Sequence, residues 1–136
     1  MLLMSRSHVV LGNVRITLYN IHLLMENSLI LINVYDINGD AHFLDLAEYI
    51  LKKIEPYVQM DLLLLNKMQI KKRRTGFSDE DITILSGIDS EEIHVLFGEN
   101  VLLENKLQAK KCFECFTKEE KDRYMQFPIY ELYKRI

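Results

Sequence analysis

The chain has no tryptophan, two prolines, five glycines and two cysteines in 136 residues. So few prolines and glycines exclude a proline-rich linker or a low-complexity tract. Two cysteines, Cys112 and Cys115, cannot staple the chain as a small secreted domain is stapled, and they point to a reducing compartment. The opening Met1-Leu2-Leu3-Met4-Ser5-Arg6 lacks the basic-then-apolar order of a signal peptide. The longest uncharged apolar run, around Ser28 to Tyr35, falls far short of the roughly 20 residues that span a bilayer. A cytoplasmic protein without a membrane partner is therefore expected. What the chain does have is apolar content, 49% of its residues, enough at this length for one core and one domain over 1–136.

Net charge is −3, but its distribution is far from even. Residues 1–60 carry −2, residues 61–78 +4, residues 79–105 −8 and residues 106–136 +3. The third block holds eight carboxylates and no cation, the strongest anomaly in the sequence.

Strand signals fill the first forty residues. Val9-Val10-Leu11 and Val14 to Tyr19 flank Gly12-Asn13, a pair suited to a tight hairpin, with Arg15, Thr17 and Tyr19 alternating with Ile16 and Leu18. After a turn at Glu26-Asn27-Ser28, the stretch Leu29 to Tyr35 is apolar at nearly every position, as in a central strand covered on both faces. Asn38-Gly39 supplies another hairpin turn, returning Ala41 to Leu44 as an edge strand. From Asp45 the period becomes helical: Leu46, Ala47, Ile50, Leu51 and Ile54 share a stripe, Asp45 and Glu48 have capping-box spacing, and Pro56 stops the helix. Tyr57 to Arg74 is read as a helix from the spacing of Tyr57, Met60, Asp61, Leu64, Leu65 and Met68, although Leu62 to Leu65 equally fits a buried strand. Short helices follow: Asp79 to Ser86 ahead of Gly87, Glu91 to Phe97 ahead of Gly98, a longer segment from Asn100 through Phe116, one opened by Thr117 with Glu120, and one started by Pro128. The expected class is α+β: an N-terminal antiparallel β-meander of three or four strands packed by a helix, mainly β over 1–44, then a cluster of short helices over 45–136.

The motifs that carry chemistry are sparse. Asp36-Ile37-Asn38-Gly39-Asp40 has the alternate oxygens of a calcium loop, but Ala41 stands where the loop needs glycine and Ala47 where it needs a bidentate carboxylate. A hairpin turn accounts for the same residues. Cys112 and Cys115 have the spacing of half a zinc site, yet no second ligand pair accompanies them, and Cys112, Phe113, Cys115 and Phe116 fit an apolar helical stripe with buried thiols. No phosphate loop or local nucleophile motif is present, and His8, His22, His42 and His94 are scattered singly. No cofactor, no metal and no catalytic residue is expected.

In Ser78 to Leu103, Ile82, Ile88, Ile93 and Leu96 fall where two helices joined by a glycine-containing turn pack on each other. With Asp81-Ile82, Gly87-Ile88, Ile93, Phe97 and Leu103 at its spacings, the stretch resembles the helix-turn-helix of TetR-type repressors. That resemblance implies a DNA-binding regulator, with the adjacent Lys71, Lys72, Arg73 and Arg74 gripping phosphates.

Phosphate contacts require cations, so the −8 block itself favours a protein partner. The leading expectation is a non-catalytic regulatory or inhibitory protein, of the immunity-protein, antitoxin or nucleic-acid-mimic kind. Its acidic helical face, built from Asp79, Glu80, Asp81, Asp89, Glu91, Glu92 and Glu99, docks on a basic protein surface. The helix-turn-helix regulator is the alternative.

Overall fold

The computed structural model describes residues 9–11, 14–16 and 18–136, with side chains from Asn20 onward. Two three-residue strands, β1 (Val9–Leu11) and β2 (Val14–Ile16), pair antiparallel with Val9 opposite Ile16 and Leu11 opposite Val14. The Gly12-Asn13 turn between them lies outside the described residues. Everything after this ribbon is helical: α1 (Leu18–Asn38), α2 (His42–Ile54), a 3-10 turn (Glu55–Tyr57), α3 (Met60–Arg74), α4 (Asp79–Ser86), α5 (Ile93–Leu102), α6 (Lys106–Glu114), α7 (Lys118–Tyr124) and α8 (Pro128–Arg135).

The expected α+β class, with its β-meander over 1–44, is thereby corrected to a helical fold. Leu29 to Tyr35 is the second half of the 21-residue α1, not a central strand. Glu26-Asn27-Ser28 is mid-helix rather than a turn, and Ala41 to Leu44 leads into α2 rather than forming an edge strand. The register of α1 is visible in Ile21, Met25, Ser28, Ile32 and Tyr35, spaced by three and four. Ser28 hides that register because it is polar, yet it is fully buried, its hydroxyl donating to the Met25 carbonyl at 2.6 Å. A hydroxyl that donates back to its own helix loses little on burial.

Two helical hairpins built to one plan flank a shared helix. In the first, α1 and α2 meet at Gly39, whose φ is +72°, and the Asp40 carboxylate accepts from the His42 backbone N–H. In the second, α5 and α6 meet at Glu104, with φ of +58°, and the Asn105 side chain accepts from the Gln108 N–H. Glu104 stands 65 residues after Gly39, and Asn105 65 after Asp40. Buried residues match in pairs on that spacing: Ile32 with Phe97, Leu44 with Ala109, Ala47 with Cys112 and Leu51 with Phe116.

Helix α3 is the spine between the hairpins. It sends Leu63 and Ile70 into the core around α1–α2, and Leu65 and Met68 into the core around α5–α6. A helix apolar on opposite sides has no single hydrophobic stripe, which is why Leu62 to Leu65 fitted two readings in sequence. Where α3 crosses α5, Gly98 lets the backbones close up; a Cβ there would stand 3.0 Å from a Leu65 methyl. Gly98 is therefore inside α5 instead of ending it, and the expected long segment from Asn100 through Phe116 is broken at the Glu104 turn.

Candidate functional site

The four cations at the end of α3 are all engaged within the fold. Arg73 is buried with Asp36 of α1 in a two-pronged pair, Nε to Oδ1 and Nη2 to Oδ2 both at 2.8 Å. The same guanidinium donates to the carbonyls of Gln69 at 3.1 Å and Pro128 at 3.0 Å, tying α1, α3 and α8 at one point. Arg74 reaches Asp45 at 2.7 Å and Glu48 at 3.6 Å on α2. Lys72 donates to the Leu102 carbonyl at 3.3 Å, lies 3.7 Å from Glu104 and covers the Phe77 ring. Lys71 meets Asp81 at 2.6 Å. A planar fork such as Arg73, with four hydrogen bonds to a carboxylate and two carbonyls, is the arrangement in which a buried charge is tolerated.

These ties also use up oxygens that the sequence left open. Of the Asp36 to Asp40 stretch, Asp36 takes Arg73, Asn38 accepts from the Asp40 N–H, and Asp40 accepts from the His42 N–H. Asp45 and Glu48, placed by sequence as a capping box, face Arg74; α2 starts three residues earlier, and Ala41 gives no side-chain cap.

The seven carboxylates expected on one acidic face divide into three kinds. Asp81 is buried, and its Oδ2 accepts from the Ser78 N–H at 2.9 Å and hydroxyl at 3.0 Å, completing the capping box of α4. The Lys71 ammonium, with the Ser78 N–H, holds its carboxyl below the usual aspartate range. Glu99 is half-buried on α5; burial, with the charge of Asp61, pushes its carboxyl up. Asp79, Glu80, Asp89, Glu91 and Glu92 are exposed and form no ion pair among the described residues. Beside them on α4, Ile82 and Ile84 are exposed by 44% and 42%. With 3.6 residues per turn, and Asp81 and Leu85 turned inward, these isoleucines flank an outward crown carrying Asp79 and Thr83.

The two-helix unit within Ser78 to Leu103 has a six-residue connection, Gly87 to Glu92, between α4 and α5. Val95, Phe97, Val101 and Leu102 of α5 are all buried, and α5 is the helix around which the second core assembles.

Sequence inspection missed a polar cluster on the opposite side of α5. His94 Nε2 lies 3.0 Å from Glu120 of α7, and its Nδ1 lies 2.8 Å from the Tyr124 hydroxyl. The Glu120 carboxyl is held low, chiefly by the Thr117 N–H it accepts, so it is ionised and can only accept. In the neutral imidazole Nε2 therefore carries the hydrogen, leaving Nδ1 to accept from Tyr124. Burial pushes the Tyr124 phenol up to about 12. The imidazole lies nearly parallel to the Phe116 and Tyr124 rings, with centres 5.1 and 5.5 Å away, and those two rings stack on each other at 4.8 Å. The Thr117–Glu120 capping box was legible, but nothing local links position 94 to 120 or 124.

His94 and Tyr124 line a cleft of about 200 Å³ between the hairpins, walled by α1, α3, α5, α7 and the start of α8. Of the two cysteines, Cys112 is buried, with burial raising its thiol pKa, whereas Cys115 is exposed just past the end of α6. The expectation that both thiols share a buried stripe is corrected for Cys115, because α6 ends at Glu114. No group of three or more potential metal ligands occurs among the described residues. No described helix is long and apolar enough to cross a membrane. Comparison with protein-family models, curated proteins and solved structures gives no match.

Proposed function

We propose that this protein is a non-catalytic regulator or inhibitor that docks on a basic surface of a partner protein through α4 and the loop leading to α5. The supporting observation is a contrast between neighbouring charges. Lys71, Lys72, Arg73 and Arg74 are all bound internally, while Asp79, Glu80, Asp89, Glu91 and Glu92 are exposed without cation partners among the described residues. Unpaired carboxylates of one sign speed encounter with a cationic surface, and exposed apolar groups such as Ile82 and Ile84 supply the contact that holds the complex. Asp81 and Glu99 act from within, Asp81 by fixing α4 to α3 through Lys71. A DNA-binding helix-turn-helix needs free cations near an exposed recognition helix. The engagement of the four cations and the burial of α5 lend that alternative no support.

Photo-crosslinking in the producing cells tests the docking reading, with the crosslinker at Ile82 and, as a control, at the exposed Tyr49 of α2. Adducts are expected from position 82, not from 49, and are expected to disappear in E91K/E92K. Adducts from both positions alike, or adducts indifferent to the charge reversal, would overturn it.

A further inference from the structure

Helix α1 is apolar on every side. Ile21 and Ile32 are buried against the fold, while Leu23, Ile30 and Ile37 are exposed by 37%, 55% and 86%. A helix of that kind is one that is covered all round, yet the outer side of α1 faces solvent. At about 100° per residue, Leu23 and Ile37 fall about 20° to either side of Ile30, and Asn27 and Asn33 about 60° to either side. Counted outward from Ile30, this stripe reads alike in both directions, with an asparagine at three residues and an aliphatic side chain at seven. At four residues the match breaks, with Glu26 on one side and Val34 on the other. The Glu26 carboxylate pairs with His22 at 3.1 Å, and α1 holds no lysine or arginine.

A stripe that reads alike in both directions is what a two-fold axis requires, because such a contact sets residue i on j and j on i. We propose that α1 is the contact between two copies of this chain, packed antiparallel with the axis at Ile30. Ile30 then meets Ile30 of the second copy, Leu23 meets the second copy's Ile37, and Asn27 meets its Asn33. The two amides suit each other. Asn33 gives its Nδ2 to the Gln126 carbonyl at 2.9 Å and keeps Oδ1 to accept, while Asn27 is exposed with no side-chain hydrogen bond among the described residues. Charge selects the direction. Antiparallel packing sets Glu26 against the second copy's Val34, whereas a parallel pair would set the two Glu26 carboxylates against each other. A helix of 21 residues is about 31 Å long, and a contact confined to it belongs with the small interfaces, below about 1,200 Å². The dimer is therefore weak, forming at micromolar concentration. It shares no residue with the docking surface of α4, so the two proposals stand or fall separately.

Sedimentation equilibrium of the full chain is expected to give a weight-average mass that rises from 16.1 kDa towards twice that value through the micromolar range. Ile30→Glu places two carboxylates on the axis and is expected to weaken association at least about tenfold. Cysteines introduced into Cys115→Ser, which lacks the exposed native thiol, fix the orientation by oxidation. Ile30→Cys is expected to cross-link to itself and the more exposed Ile37→Cys is not, whereas Leu23→Cys mixed with Ile37→Cys is expected to give the mixed disulfide. The mass of a monomer at every concentration, undiminished association of Ile30→Glu, or Ile37→Cys cross-linking to itself as readily as Ile30→Cys would each overturn the contact.

Discussion

Ile32 and Phe97 occupy the same place in the two hairpins, both fully buried, yet the cores around them are made differently. Around Ile32 the buried residues are aliphatic: Leu44, Ala47, Leu51, Ile54, Leu63 and Ile70. Around Phe97 the rings of Phe113, Phe116, Tyr124 and Tyr133 stand with centres 5.2 to 5.6 Å away, mostly edge to face. Aliphatic packing asks only for volume. Rings also ask for geometry, and the half-buried Tyr124 asks for a hydrogen-bond partner as well, which here is His94. The second hairpin thus acquires a polar cluster that the first, on the same backbone plan, lacks. The cleft lies along the seam where the two meet.

The contrast can be broken at its joint first. Arg73 serves both halves, so Arg73→Ala leaves Asp36 buried without its partner and is expected to cost about 3–5 kcal/mol in chemical denaturation. Replacing both, as Asp36→Leu with Arg73→Met, is expected to recover most of that loss, because the cost lies in the unpaired charge. Next come the matched core positions. Phe97→Ala is expected to cost about 3–5 kcal/mol and Ile32→Ala about 2–5 kcal/mol. Phe97→Ala is expected to alter the near-ultraviolet circular dichroism of the tyrosines more than Ile32→Ala, since Phe97 packs on the Tyr124 and Tyr133 rings while Tyr35 is the one tyrosine packed on the Ile32 core.

A pH series sharpens the comparison further, because Asp81 ties α4 to the spine on the aromatic side alone. Its folded pKa is lowered, first by Lys71. The stability it adds is present above the unfolded value of about 3.9 and is lost as pH falls through the lower folded value. Asp81→Asn is expected to be less stable at neutral pH and to lose stability less steeply below about pH 4, followed by denaturant midpoints. The smallest effect belongs to the turns. Glu104 holds a left-handed φ that Gly39 adopts freely in the first hairpin, and its pair with Lys72 is long and mostly exposed. Glu104→Gly is expected to raise the melting temperature slightly, by less than about 1 kcal/mol of stability.

How much of this was legible follows from what each signal depends on. Local chemistry was readable: the Ser78 and Thr117 caps, the stop at Pro56 and Pro128 at the start of α8 all stand as their residue types dictate. Asn38-Gly39 is a turn, but Gly39 closes a helix there rather than linking two strands. Leu29 to Tyr35 misled because a continuous apolar run has no period of its own, and the polar Ser28 interrupted the helical one. The basic run at the end of α3 could be read as a phosphate grip because its partners, Asp36, Asp45, Asp81 and Glu104, are distant in sequence. The same distance hid Glu120, His94 and Tyr124. The acidic block was visible as composition, but only packing separates Asp81 and Glu99 from the exposed carboxylates.

Each of Lys71, Lys72, Arg73 and Arg74 is paired with a carboxylate of the fold, while Asp79, Glu80, Asp89, Glu91 and Glu92 are exposed without a cation among the described residues. Fluorescence anisotropy of labelled random-sequence duplex DNA, titrated with the full chain at low and at physiological salt, tests this contrast most directly. No binding is expected at either salt concentration. Binding that weakens steeply with salt and is lost on neutralising Lys72 and Arg74 would contradict it, because those cations would then be free to neutralise phosphates.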